Sequence, residues 1–512
     1  MKVGVFLEPW SDEIANFLGR KGIPTFPVPR APRKETPQAL QALIRRSEIR
    51  GAVLVEEEER LEGGFVEALQ EAGIPPYAFE VVRFPPGPLE REAMEQAKLL
   101  TLAAVEGVRV QGEVDPEHLK PTFVSVQEAL RRRDFLFGFF KPRYEVIPAV
   151  KADRCTAWKG CRLCLDACPQ EAISFQKRHI VLDKGSCTAC GACLPACPEE
   201  AISSPRLNPK TLDAQLRALL SEEVALRPRI ILITAKDQVL AGRGSLPPEI
   251  LALPLPCTGA ISAWLLLRAL TLGADGLMIL PCAPSCQHRC HGKGWESSFR
   301  LVQALLPVFG VPSERLQTIP GEEPKVLASR FRTLVEEVGR MGPHRLQEER
   351  TANGSLRLRD LLRDLSTRLG LKQVVLQGDS IPFGLVKVEE GEKACTLCGV
   401  CPDRCPTGAL FLQENTQTSK LLFDHASCVA CFSCVEACPE KVLTVERELD
   451  FGQIRNEPTI LAEDRITSCR RCGKPIAPSH MLQKVQPLFS PQPLDLEVCS
   501  FCRIFEGLKR SG

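Results

Sequence analysis

The chain has 512 residues, 44% of them hydrophobic and 25% charged, with a net charge of +2. That length implies three or four domains with buried cores, and the near-balanced charge offers no basic face for nucleic acid or an anionic membrane. A chain this long with 24 cysteines is unlike a small secreted disulfide scaffold, and metal-bound or reduced thiols in a cytoplasm are expected instead.

The first residues, MKVGVFLEPW, lack the layout of a signal peptide. The longest uncharged stretch, 250–267, holds Pro254, Pro256 and Gly259 and is too short and interrupted for a membrane helix. The string RRRDFLFGFF at 131–140 looks like a twin-arginine signal, but it lies deep inside the chain. An amphipathic linker helix is expected there.

In chain order, no cysteine precedes residue 155. Apolar runs at 3–7, 52–55 and 77–82 predict strands, and periodicity at 12–19, 38–46, 65–72 and 90–105 predicts helices. This is an N-terminal α/β domain over 1–112, followed by a linker over 113–147. Cysteine-rich blocks lie in 148–207 and 381–448. Between them, strands at 230–234 and 277–280 and helices at 261–272 and 296–308 predict a second α/β domain over 208–342. Linker helices are expected over 343–380, and a small tail over 449–512.

Each cysteine block is an internal duplication. Three units read C-x2-C-x2-C-x3-C-P: Cys187, Cys190, Cys193, Cys197; Cys395, Cys398, Cys401, Cys405; and Cys428, Cys431, Cys434, Cys438. The remaining unit, Cys155, Cys161, Cys164, Cys168, carries a three-residue insertion after its first cysteine. After the proline, each unit continues with a small and then a branched apolar residue, so one module is used four times. The spacing suits [4Fe–4S] clusters, in which three close cysteines wrap the cubane and the fourth comes from the paired unit. The expected sets are Cys155, Cys161, Cys164 and Cys197; Cys187, Cys190, Cys193 and Cys168; Cys395, Cys398, Cys401 and Cys438; and Cys428, Cys431, Cys434 and Cys405.

The two blocks resemble the two-cluster bacterial-type ferredoxin domain, which implies single-electron transfer at low potential. The middle region is similar to the delta subunit of methyl-viologen-reducing hydrogenase. The matching residues are Cys257-Thr258-Gly259, Leu266-Leu267-Arg268-Ala269-Leu270, Gly273-Ala274-Asp275-Gly276, Cys282-Ala283-Pro284, Cys286 and His288. The resemblance implies a [2Fe–2S] cluster on Cys257, Cys282, Cys286 and Cys290. The family's cysteine pair after the first strand is absent here, and its later pair is spaced differently. His288 or His291 replacing a thiolate would raise the potential. Zinc or free thiols are the other readings of this site.

The N-terminal region, 1–112, is similar to the start of the heterodisulfide reductase A polypeptide; the resemblance is carried by Phe65, Ala68-Leu69, Glu71-Ala72-Gly73-Ile74, Pro76-Tyr77, Glu80 and Ala97-Lys98. That family's cysteines and flavin-binding glycine fingerprint are missing, so a degenerate domain without FAD is expected. In the tail, Cys469, Cys472, Cys499 and Cys502 form two C-x2-C knuckles that suit a four-cysteine zinc site, with a rubredoxin-like iron as the other reading. No His, Glu or Ser constellation suggests hydrolytic or acid–base chemistry, and His118, His344, His425 and His480 are scattered.

The fold expected is α/β and α+β multidomain: two ferredoxin-like two-cluster modules flank an α/β domain, with an N-terminal α/β domain and a C-terminal zinc-ribbon-like lobe. The function expected is that of an electron-relay component without its own substrate site. Its redox partners would be a hydrogenase, a formate dehydrogenase or a heterodisulfide-reductase-type flavoenzyme. The rivals are a thiol or disulfide reductase acting at the middle site, a scaffold whose clusters only hold structure, and a zinc-rich regulatory protein.

Overall fold

The computed structural model describes residues 2–7, 12–28, 42–44, 46–56, 69, 74, 78–84, 89–111, 118–122, 143–176, 178–235, 246–282, 286, 294–319, 324–346, 356–389, 394–455, 457–489 and 495–504. Two compact units emerge. One comprises Met1–Cys155, Leu163–Gln176 and Ile180–Leu361; the other comprises Thr156–Arg162, Lys177–His179 and Leu362–Gly512.

The first unit contains two parallel four-stranded sheets. The N-terminal sheet is built from β1 (Val3–Leu7), β2 (Thr25–Pro27), β3 (Gly51–Glu56) and β4 (Phe79–Arg83), in the order β2-β1-β3-β4. β1 and β3 are buried along their whole length, as expected of parallel strands covered on both faces, which read as unbroken apolar runs. Helix α1 (Asp12–Arg20) buries Ile14, Phe17 and Leu18. Helix α2 runs Arg91–Gln111, six residues past the expected end, because Gly107 and Val108 continue its buried face. The expected helices at 38–46 and 65–72 fall largely outside the described residues, as does the whole of 131–140.

The middle sheet comprises β5 (Ile230–Ala235), β6 (Ile250–Leu255), β7 (Gly276–Leu280) and β8 (Leu316–Thr318), in the order β6-β5-β7-β8 and all parallel. Four helices belong to it: α3 (Pro209–Leu219), α4 (Ala263–Thr271), α5 (Trp295–Val308) and α6 (Pro324–Met341). α3 starts where Asn208 accepts the Thr211 N–H and Pro209 takes the first helical position, both standard start signals. α4 starts at Ser262, whose hydroxyl accepts the Leu265 N–H, and all nine of its residues are buried. Its Arg268 is fully buried and pairs with Asp213 of α3 at 2.6 Å. β6 was not expected as a strand. Pro254 interrupts its pattern, but β6 is an edge strand, where a missing N–H is tolerated.

The second unit is antiparallel. β9 (Val375–Gln377), β10 (Gly384–Val388) and β13 (Leu443–Asp450) form one sheet in the order β9-β13-β10. β11 (Leu410–Glu414), β12 (Thr418–Phe423), β14 (Thr459–Ser468) and β15 (Pro475–Pro478) form the other, in chain order. The tail therefore begins as a strand on the cysteine block's own hairpin, since β14 pairs with β12. Helix α7 (Leu358–Arg368) lies within the charged segment read as a connector, and it docks: Arg363 donates to the Ile454 carbonyl and Asp424, and Ser366 to the Phe451 carbonyl. The inserted loop Thr156–Arg162 also belongs to this unit. Lys159 donates to the Cys405 carbonyl at 3.1 Å, and the Trp158 ring carries Lys159 and Arg178 beside it.

Candidate metal centres

The four cysteine units share one local design. The third cysteine sits in a single helical turn: Leu163–Asp166, Cys193–Ala196, Val400–Arg404 or Ser433–Ala437. The fourth leaves that turn extended, at φ −89°, ψ 107° for Cys197, φ −74°, ψ 112° for Cys405 and φ −67°, ψ 113° for Cys438. The following proline explains this, because its ring disfavours the helical region for the residue before it. Three residues after the fourth cysteine the chain enters the left-handed region in every unit, at Glu171, Glu200, Gly408 and Lys441. It does so again two residues after the first cysteine in the three regular units, at Ala189, Leu397 and Ala430. These reversals turn backbone N–H groups toward sulfur, as where Ala201 N–H donates to Cys197 Sγ at 3.2 Å. The sequence pattern hid them, because only Gly408 is a glycine.

In the second block, the fourth cysteine of each unit lines a pocket with the first three of the other. One pocket is lined by Cys395, Cys398, Cys401 and Cys438. A second is lined by Cys405, Cys428, Cys431 and Cys434. Burial, reinforced by Cys395, Cys398, Cys434 and Cys438, pushes the Cys401 thiol up to about 12. Burial also raises Cys434 to about 12, reinforced by Cys428, Cys431 and Cys405, and Cys428 to about 11, reinforced by Cys405 and Cys431. Cys395 rises for the same reason, with Cys398 and Cys438 beside it.

In the first block, burial raises Cys193, helped by Cys190, Cys187, Cys168 and Cys164. Burial likewise raises Cys197, which Cys155 adjoins. Cys161 is half-buried in the inserted loop. These packed thiols are held protonated against one another. That suits thiolates compensated by a bound cationic group, because deprotonation is the precondition of ligation.

In the middle region, the sulfurs of Cys257, Cys282 and Cys286 lie within 4.8 Å of one another. Cys257 follows β6 and Cys282 follows β7, so parallel neighbours of β5 deliver them to the same end of the sheet. Cys257 and Cys282 Sγ are 3.7 Å apart. Hydrogen bonding with Cys257, then burial, raises the Cys282 thiol. Thr258 Oγ1 and Thr258 N donate to Cys282 Sγ at 3.2 and 3.5 Å, and Gly259 N to Cys257 Sγ at 3.4 Å. Cys290, His288 and His291 lie outside the described residues. In the tail, the sulfurs of Cys469, Cys472, Cys499 and Cys502 also lie within 4.8 Å. Backbone N–H groups of Cys499 and Cys472 lower Cys469 to about 6, and hydrogen bonds with Cys472 and Cys499 raise Cys502 to about 12.

Four of the described histidines, His118, His344, His425 and His480, make structural contacts. His425 and His344 are held below the ordinary imidazole value by burial. His425 bridges the Gly384 carbonyl and the Asp450 N–H. His118 meets the Ile147 carbonyl, and His480 pairs with Asp464. Among the described residues, no helix is long and apolar enough to cross a membrane.

Comparison with known proteins agrees with this geometry. Residues 231–342 match the family of the methyl-viologen-reducing hydrogenase delta subunit. Residues 142–201 and 387–439 each match a 4Fe-4S dicluster domain. The D iron-sulfur subunit of the vhc F420-non-reducing hydrogenase of Methanococcus voltae is 27% identical over 115 residues, 22% of this chain and 80% of that protein. The polyferredoxin protein MvhB of Methanothermobacter marburgensis is 36% identical over 74 residues, 12% of this chain and 17% of its own length. The second I-type subunit of the NADH-quinone oxidoreductase of Geobacter metallireducens is 25% identical over 87 residues, 16% of this chain and 66% of its own length. The chain thus covers less than two thirds of these last two relatives. It carries a hydrogenase delta-subunit-like domain between two 4Fe-4S dicluster ferredoxin domains.

Proposed function

We propose that the chain is the iron–sulfur electron-transfer subunit of a larger redox assembly. It fuses ferredoxin and delta-subunit-like domains and relays single electrons to a hydrogenase-like or other oxidoreductase partner. The observation that carries this reading is the exchange of fourth cysteines: Cys438 lines the cavity of Cys395, Cys398 and Cys401, while Cys405 lines that of Cys428, Cys431 and Cys434. Four [4Fe–4S] clusters would take the crossed sets named above, and the same arrangement is assigned to the first block. Such clusters supply reversible uptake of one electron each; the chain's own part is to hold the sulfurs, exclude water and aim N–H groups at them.

Cys257, Cys282 and Cys286, with Cys290, are assigned a [2Fe–2S] cluster, and Cys469, Cys472, Cys499 and Cys502 a zinc ion. The partner is read as a hydrogenase from the delta-subunit likeness, and the compartment as the cytoplasm from the cysteine chemistry. Anaerobic isolation with metal and sulfide analysis tests all of this. About 18 irons and about one zinc per chain are expected for these ligand sets, with the iron reduced by dithionite. A colourless, zinc-only protein would refute the reading.

A further inference from the structure

The two cysteine blocks are repeats, yet one of the repeated sites differs from the rest in its surroundings. Cys190 and Ala192 pack into a buried cluster with Cys257, and Cys282 lies against it. The helical turn Cys193–Ala196 rests on the short 3-10 turn Thr258–Ala260. Between Cys190 and Ala192 lies Gly191, in the left-handed region at φ +80°. A Cβ on it would stand 3.0 Å from Ala260 Cβ and 2.5 Å from Leu207 Cδ1. The same turn is also met by Gly294, whose Cβ would lie 3.4 Å from the Gly259 carbonyl, an ordinary contact.

We infer that Gly191 is a positioning residue that seats the Cys187, Cys190, Cys193 and Cys168 site directly against the Cys257, Cys282 and Cys286 site. The two sites form one electron-exchanging pair, and this is the port between the first ferredoxin block and the middle domain. The inference rests on the iron–sulfur reading above and adds the order of centres. The step served is a one-electron exchange: one centre is oxidised by one, the other reduced by one, with no proton or third reactant. Thr258 belongs to the same port, because its hydroxyl and N–H both donate to Cys282 Sγ, and donors to cluster sulfur help set potential.

A matched control is built into the fold. Gly399 occupies the equivalent position after Cys398, at φ +79° against +80° for Gly191. A Cβ there meets only Leu412 Cδ1, at 3.4 Å. Gly191→Ala and Gly399→Ala therefore carry the same backbone strain, and only the first presses on the Thr258–Ala260 turn, at Ala260.

The experiment is electron paramagnetic resonance on the anaerobically purified full chain at graded reduction, with metal content measured alongside. The wild type should show magnetic interaction between the middle centre and one cubane, as split lines and fast spin relaxation. Gly191→Ala should measurably change that splitting while keeping its iron, and Gly399→Ala should leave it as in the wild type. Absence of any interaction in the wild type would overturn the inference, and that reading stands even if Gly191→Ala does not fold. Zinc in the middle site, or equal spectra for the two variants, would overturn it too. Loss of iron throughout the wild type would instead refute the electron-transfer reading beneath it.

Discussion

Gly384 offers a sharp test of how tightly the site of Cys405, Cys428, Cys431 and Cys434 is built. It opens β10, and a Cβ added there would lie 2.9 Å from Cys428 Sγ, 2.9 Å from Val445 Cγ1 and 3.2 Å from Ala430 Cα. Favourable carbon contacts begin near about 3.5 Å, so the new methyl intrudes by about 0.6 Å on Cys428 and Val445 and about 0.3 Å on Ala430. Val445 can turn aside. Ala430 Cα is backbone already held at φ +47°, and Cys428 Sγ is fixed once it ligates. Overpacking of this kind costs about 1–3 kcal/mol, and two immovable neighbours out of three place Gly384→Ala in the upper half of that range. In a unit of this size each kcal/mol lowers the melting temperature by about 2–4 °C. The assay pairs calorimetry under argon with iron analysis. Gly384→Ala should melt several degrees lower and lose up to about four irons, one cubane's worth. Gly19→Ala on α1, where an added Cβ meets nothing within 4 Å, should keep its iron and melt no lower than the wild type. Full iron and wild-type melting in Gly384→Ala would refute the assigned crowding at Cys428.

Asp213→Ala should cost about 3–5 kcal/mol by removing the carboxylate that pairs with the fully buried Arg268, and Asp213→Leu combined with Arg268→Met should recover most of it; chemical denaturation reads both. His344 donates from Nε2 to the Ala274 carbonyl and accepts the Leu346 N–H at Nδ1, and burial lowers its pKa. Its contribution to stability is therefore complete above the unfolded value near about 6.5 and is lost as pH falls below that; a melting series from pH 8 to 5 should fall less steeply in His344→Asn. Cys472→Ser should abolish zinc binding in the tail while the iron content stays at the wild-type value, as metal analysis would report. Lys441→Gly, at a left-handed position with φ +55°, should be neutral or stabilising by up to about 1 kcal/mol, as thermal melting would show.

The strands that sequence revealed are those covered on both faces. Residues 3–7, 230–234 and 277–280 read as apolar runs, and β1, β5 and β7 follow them to within a residue. The strands it hid have a wet face or a broken pattern. β14 reads TILAEDRITS, with its burial irregular along its length, and β6 carries Pro254. At the cysteine blocks, the four C-x2-C-type units were legible from spacing, because spacing is what a loop wrapped around a cluster constrains; the middle set was read from family resemblance instead. The backbone reversals could not, because Ala189, Leu397, Glu200 and Lys441 look like ordinary side chains and are forced left-handed by the fold around them. The docking of Lys159 on the Cys405 carbonyl was hidden as well; an insertion states its length in sequence but not its neighbour.

The residue after each second cysteine shows how one repeated module meets different surroundings. The position is Arg162, Gly191, Gly399 and Phe432 in the four units. Phe432 turns left-handed at φ +61° with the Arg447 guanidinium over its ring, and it helps wall the cavity of Cys428, Cys431 and Cys434, so this site is closed by its own unit's side chain. Gly399 leaves its loop covered by little beyond Leu412, and Cys398 is exposed. Gly191 gives up a side chain so that another cysteine site can take its place. Burial and solvent access are among the terms that separate the potentials of otherwise identical cubanes. An exposed Cys398 and a Cys190 covered by Cys257 therefore mark opposite ends of that scale. Ligand spacing is the same in three of the four units, while the residue beside the second cysteine differs in what surrounds it: solvent beyond Leu412, an aromatic wall at Phe432, or the Thr258–Ala260 turn beside Cys257.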